Sequence, residues 1–159
     1  MPRFTYSPQN TAPEFVQNGY KVAFLGDSNS GKTSLCRALS NRGFDQRYIR
    51  TVGMELHHVG NVQLWDVTGD YRFDGLKEGY VIGAEKVFIV LDCTKQNPNF
   101  SKWYNLALSC ADPHAEYFVI ITKIDKESRM KLPEQIENIP IFEVSSKSRD
   151  GLGDVRQLL

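Results

Sequence analysis

Apolar residues in this chain recur in short blocks with two different periods. Val87-Phe88-Ile89-Val90-Leu91 and Tyr117 to Ile121 are unbroken apolar runs, the pattern of strands covered on both faces as in the middle of a parallel sheet. Between them Phe100 to Cys110 places Trp103, Leu106, Ala107 and Cys110 at helical spacing, which predicts a crossover helix. Tyr20 to Leu25 reads as an earlier buried strand, and Ser34 to Leu39 as the helix after it. That helix has a stop at Asn41-Arg42-Gly43, where Gly43 can take positive φ. Met54 to Val59 and Val62 to Asp66 flank Gly60-Asn61, which predicts an antiparallel hairpin with a two-residue turn. Ser128 to Glu137 reads as a weak helix interrupted by Pro133, Ile139 to Val144 as a last strand, and Leu152 to Leu159 as a final helix. Strands alternating with helices predict a three-layer α/β domain on a mostly parallel sheet. Residues 1–19 carry Pro2, Pro8 and Pro13 without periodicity and read as a flexible extension, so the folded domain is expected over 20–159.

Composition narrows the partners. The 159 residues suit one domain, and 19 basic against 19 acidic residues give no net charge to attract nucleic acid or an anionic membrane surface. Cys36, Cys93 and Cys110 are odd in number and unpaired in spacing, which suits buried thiols in a reducing compartment. No apolar stretch is long enough to span a bilayer, no signal peptide opens the chain, and no terminal cysteine offers a prenylation site. The expectation is a cytoplasmic, monomeric protein with no lipid anchor in this chain, whose C-terminus is either native or truncated.

The chemistry is concentrated at Gly26-Asp27-Ser28-Asn29-Ser30-Gly31-Lys32-Thr33, which fits the phosphate-binding pattern G-x-x-x-x-G-K-[ST]. A triphosphate needs inward-pointing backbone N–H groups, a point charge and a metal-binding hydroxyl. The loop, Lys32 and Thr33 supply them in that order. With a strand before it and a helix from Ser34 after it, the motif sets phosphate on a helix N-terminus. Two further segments follow strands. Asp66-Val67-Thr68-Gly69 has an aspartate suited to hold Mg²⁺ through water and a glycine N–H for a γ-phosphate. Thr122-Lys123-Ile124-Asp125 ends in a carboxylate able to accept both guanine N–H groups, and Glu143-Val144-Ser145-Ser146-Lys147 can bring a backbone N–H to guanine O6.

These segments, in this order, resemble the Ras superfamily of small GTPases. Thr51 lies eighteen residues after Thr33, the family's interval between its two magnesium-binding hydroxyls. Residues 65–84 resemble the second switch of Rab and Ran proteins, with Gly75 to Tyr80 and Val52 to His57 most like Ran and Ser28 more like Rab. The resemblance implies a Ras-like fold with a six-stranded sheet, one strand antiparallel. It implies GTP/GDP and Mg²⁺ as cofactors, with Thr33, Thr51 and Asp66 at the metal. Asp27, Ser28, Asn29, Ser30, Gly31, Lys32, Thr33, Ser34, Phe44, Tyr48, Thr51, Gly69, Thr122, Lys123, Asp125, Ser145, Ser146 and Lys147 would hold the nucleotide. Phe44 would stack on guanine, Tyr48 would cover the phosphates, and Lys32, Thr51, Gly69 and Asp70 would serve hydrolysis. Effectors, an exchange factor and an activating protein would engage residues 44–54 and 66–82. The Ran-like features extend the expected location to the nucleus.

The sequence also departs from the family. Asp70 stands where most members have the glutamine that orients the attacking water. An ionised aspartate is shorter and cannot donate, and its charge would oppose the γ-phosphate. Hydrolysis no faster than roughly 10⁻⁴ s⁻¹ is therefore expected. Thr122 replaces the usual asparagine and predicts weaker nucleotide binding. Thr51 and Asp66 are closer in sequence than in typical members, so the hairpin is short, with Leu56 opposite Trp65. Trp65 is then either an exposed partner anchor, with Leu56 and Tyr80, or covered by the neighbouring helix. His57 and His58, adjacent on a strand, face opposite ways and cannot chelate one ion together. Two other readings stay open: a scaffold that holds guanine nucleotide without hydrolysing it, favoured by Asp70 and Thr122, and, more weakly, a P-loop kinase.

Overall fold

The computed structural model describes residues 19–136 and 138–159. The extension read at residues 1–19 lies outside them except for Gly19. Strand β1 (Lys21–Leu25) runs into helix α1 (Lys32–Leu39), and β2 (Met54–Val59) turns back into β3 (Val62–Val67). Helix α2 (Asp74–Val81), β4 (Lys86–Asp92), α3 (Phe100–Cys110), β5 (Glu116–Thr122), β6 (Ile141–Glu143) and α4 (Leu152–Arg156) follow. Among the described residues six strands form one sheet in the order β2-β3-β1-β4-β5-β6, parallel except for the β2–β3 hairpin. This is the fold class expected from the alternating pattern.

Each strand's alternation sends residues to two separate cores. Val22 and Phe24 join Leu64, Phe88 and Ile120 under α1 and α4, while Ala23, Leu25, Val67, Ile89 and Val119 pack under α2 and α3. Phe24, Phe88 and Phe118 meet edge to face, with centroids 5.0 and 5.5 Å apart. In the hairpin Leu56 pairs with Trp65, as the turn at Gly60-Asn61 predicts. Among the described residues no helix is long and apolar enough to cross a membrane.

Five sequence expectations change. The helix over Ser128 to Glu137 does not form; the described part of it holds one 3₁₀ turn, Glu134–Ile136, and Glu137 is outside the described residues. The amides of Arg129 and Met130 donate to Cys93 O and that of Lys131 to Gln96 O, so this segment is tied to the loop after β4 before Pro133 breaks it. The left-handed residue after α1 is Asn41 (φ 59°), not Gly43; asparagine tolerates this conformation more readily than most side chains. Strand β6 is limited to Ile141–Glu143, and α4 ends at Arg156. Cys110 is only half-buried, unlike Cys36 and Cys93.

Candidate functional site

The carboxyl ends of β1, β3, β5 and β6 open on one cavity of about 450 Å³. Ligand sites in open α/β sheets form at this edge. Its lining includes Ser28 to Ser34 at one end and Thr122, Lys123, Asp125, Ser146 and Lys147 at the other, with Phe44, Tyr48, Thr51 and Gly69 across the mouth.

The phosphate loop is held in shape by its own lysine. Lys32 Nζ donates to Gly26 O and Asp27 O, both at 2.8 Å, and to Ser30 Oγ at 3.2 Å. Burial pushes its pKa down to about 8, against the opposing pull of Asp66 and Asp27. Gly31, at φ 97°, caps α1 and starts the helix that aims its free N–H groups into the cavity. Gly69 is pressed on the loop so closely that a Cβ there would lie 2.3 Å from Ser28 N. Only glycine fits.

At the Thr33 end three oxygens converge. Thr33 Oγ1 donates to Asp66 Oδ2, Thr51 Oγ1 lies 2.9 Å from Thr33 Oγ1, and Thr51 Oγ1 approaches the same carboxylate oxygen at 3.5 Å. Asp66 is fully buried, its Oδ1 has no hydrogen-bond partner among the described residues, and desolvation pushes its pKa up to about 6. A buried carboxylate with an orphaned oxygen beside two hydroxyls is a hard-oxygen donor set that fits Mg²⁺.

At the opposite end Thr122 Oγ1 donates to Ser30 O and lies 3.2 Å from Leu91 O, so the shorter hydroxyl still ties β5 to the phosphate loop. Lys123 Nζ bridges Asn29 O at 2.6 Å and Asp92 Oδ2 at 2.7 Å. Asp125 accepts from Ser145 Oγ at 2.7 Å, and Ser145 Oγ accepts from Ser148 N at 3.0 Å, which fixes the carboxylate's orientation.

A phosphate-loop cavity with a metal-type oxygen cluster at one end and an oriented carboxylate at the other agrees with what known proteins resemble this chain. Residues 21–125 match the family described as Ras of Complex, Roc, domain of DAPkinase. Over 150 residues the chain is 31% identical to Ras-related protein Rab-7b of Paramecium octaurelia, covering 80% of this chain and 73% of that protein. It is 30% identical over 148 residues to Ras-related protein Rab7 of Drosophila melanogaster, with 80% and 72% covered. Ras-related protein SEC4 of Saccharomyces cerevisiae is 26% identical over 151 residues, with 85% and 70% covered.

The chain belongs to the Ras superfamily of small GTPases. Its likeness is to the Rab-like members, proteins that bind GTP or GDP with Mg²⁺.

In this GTPase domain several expected ligands stand elsewhere. The Asp27 carboxylate is turned out of the cavity and accepts from Trp103 Nε1 at 2.8 Å and Asn99 N at 3.2 Å, so only its backbone belongs to the phosphate loop. Ser145 is buried behind Asp125 and does not line the cavity. Trp65 is half-buried beneath Lys21, whose Nζ sits 3.7 Å above its ring, while Leu56 beside it is exposed. His57 and His58 do face apart. His57 is buried with neither ring nitrogen hydrogen-bonded among the described residues, 3.6 Å from Glu55 and close to Asp66, and its burial favours the neutral imidazole.

The larger correction is at Asp70. The carboxylate is 3% exposed and does not face the cavity as a bare charge. Arg72 donates to it through Nε (3.0 and 3.1 Å), Nη2 (2.6 Å) and its backbone N (3.0 Å), and Arg50 Nη1 sits 3.1 Å away. Hydrogen bonds from Arg72 hold its pKa far below the usual carboxylate range. Two arginines around one carboxylate leave a net positive cluster, so the expected repulsion of a γ-phosphate does not arise from this arrangement. Nothing in the motifs pointed to either arginine: Arg72 reaches Asp70 from two residues away, and Arg50 reaches it only because residues 44–54 and 66–82 meet.

Proposed function

We propose that this chain is a GTP/GDP-dependent switch with slow intrinsic hydrolysis, working through effector binding in Rab-like intracellular transport. The observation that carries the reading is the convergence of Thr33, Thr51 and Asp66 beside the phosphate loop, in one cavity with Asp125. Lys32 binds the β- and γ-phosphates, and backbone N–H groups of Ser28 to Ser34 cradle them. Thr33, Thr51 and Asp66 would hold Mg²⁺, which would supply charge neutralisation to the phosphates. Phe44 stacks on guanine, Tyr48 covers the phosphates, and Asp125 reads the base with Lys123, Ser146 and Lys147 around it. Ser145 acts by orienting Asp125, and Thr122 by fixing the phosphate loop.

Thr51 and Gly69 touch groups that exist only while the γ-phosphate is present, so its loss releases residues 44–54 and 66–82, the surfaces read by effectors, exchange factor and activating protein. Slow hydrolysis follows from Asp70: its carboxylate has no proton to donate and is occupied by Arg72 and Arg50, so it orients no water. The same occupation favours the second reading, a scaffold that binds guanine nucleotide without turning it over.

The test is to extract the nucleotide from purified protein and follow single-turnover hydrolysis of loaded GTP with Mg²⁺. The expected wild-type rate is at or below roughly 10⁻⁴ s⁻¹, rising in Asp70→Gln. A wild-type rate well above that scale removes the slow-switch reading. No cleavage in either protein leaves the scaffold.

A further inference from the structure

Arg50 differs from Arg72 in what holds it. Arg72 makes four contacts to Asp70, including one from its own backbone, whereas Arg50 makes one, at 3.1 Å; both side chains are about half exposed, 51% for Arg50 and 56% for Arg72. Arg50, unlike Arg72, also lines the nucleotide cavity, next to Thr51 in sequence and in company with Gly69 and Lys32. Asp70 directly follows Gly69. The Arg50–Asp70 pair thus crosses between the two loops at the end of the cavity where Thr33, Thr51 and Asp66 meet.

We infer that Arg50 is a γ-phosphate reader parked on Asp70: GTP draws its guanidinium off the carboxylate, and GDP leaves it there. The inference rests on the guanine-nucleotide reading of the cavity and adds to it a cationic residue that no motif assigns. Transfer leaves no orphaned charge, because Arg72 continues to saturate Asp70. The terminal phosphate of GTP is the better partner, since its oxygens match the two-pronged guanidinium and carry charge that the carboxylate must otherwise share between two arginines. A ligand shifts a conformation only by its differential affinity for the two states, and Arg50 supplies that difference for GTP over GDP. The transfer also opens the bridge from Arg50 to Asp70, so the link between the loops passes to the nucleotide itself.

Equilibrium competition between GDP and β,γ-imido GTP, with Mg²⁺ present, tests this in wild type, Arg50→Ala, Arg50→Lys and Asp70→Asn. Arg50→Ala is expected to weaken the triphosphate analogue by about tenfold, the value of a charge-assisted contact, and to change GDP affinity by less than about twofold. Retained GDP binding shows that the variant is folded. Arg50→Lys, a charge without the fork, should fall between the two. Asp70→Asn, which removes the competing charge, should raise the preference for the analogue over GDP. Equal weakening of both nucleotides in Arg50→Ala, or an unchanged ratio, overturns the inference and leaves the guanine reading intact. Failure of the wild type to take up either nucleotide overturns that reading and the inference with it.

Discussion

Asp66 shows how a single side chain can be built for a ligand at the expense of the fold. It is fully buried, one oxygen satisfied by Thr33 and the other without a partner, and burial raises its pKa from an ordinary 3.8 to about 6. The sign is the reverse of a salt-bridged aspartate. Below pH 4 the group is protonated folded or unfolded and costs nothing. Between pH 4 and 6 the unfolded chain has lost the proton that the native state keeps, so stability falls as pH rises, and the full cost stands above pH 6. Asp66→Asn should therefore stabilise the metal-free protein by up to about 3 kcal/mol at neutral pH and flatten the pH 4–6 slope in urea melts, while weakening Mg²⁺-dependent nucleotide binding. An Asp66→Asn protein less stable than metal-free wild type would contradict this account of the carboxylate.

Among the elements, α3 does more than cover the sheet. Trp103 sits on its buried face because Phe100, Trp103 and Ala107 share one helical stripe, and its indole N–H reaches the Asp27 carboxylate in the phosphate loop. Its ring also lies 4.7 Å from the ammonium of Lys77 on α2, a buried charge paired with Asp74, which Lys102 of α3 binds in turn. Phosphate loop, α2 and α3 are thus joined through one indole. Trp103→Phe keeps most of the volume but removes the donor, leaving Asp27 with the Asn99 amide alone. A loss of about 1–2 kcal/mol in denaturant stability and faster release of a fluorescent GDP analogue are expected. Unchanged release would mean that Asp27 does not transmit strain to the phosphate loop.

Across the whole molecule, the site lies where β1, β3, β5 and β6 end together, and no single element owns it. Ligand binding then stabilises the entire domain by mass action. At a thousandfold excess over its dissociation constant a nucleotide adds about 4 kcal/mol, and a domain of this size gains roughly 10 °C in Tm. Thermal melts of nucleotide-stripped protein with Mg²⁺ and GDP, GTP or ATP should show this rise for both guanine nucleotides and little for ATP, whose base offers no paired N–H donors to Asp125. An equal rise with ATP would remove the guanine assignment.

Much of this was written locally. The phosphate loop, the hairpin register that sets Leu56 opposite Trp65, helix α3 and the parallel strands each depend on residues within a few positions of one another, so spacing and period determine them. The segment at Ser128 was not local in this sense, since its amides are claimed by Cys93 O and Gln96 O, more than thirty residues earlier in chain order. The sequence by itself likewise determined which residue types meet a phosphate, a metal and a base. It could not determine the state of Asp70 or the direction of Asp27. A carboxylate's charge and orientation are set by the partners packed against it, and Arg50 and Trp103 reach theirs only once the sheet has brought distant loops together. Arg72 is Asp70's neighbour in the chain, but tertiary structure alone decided that the aspartate in the glutamine position also anchors Arg50 from the other loop.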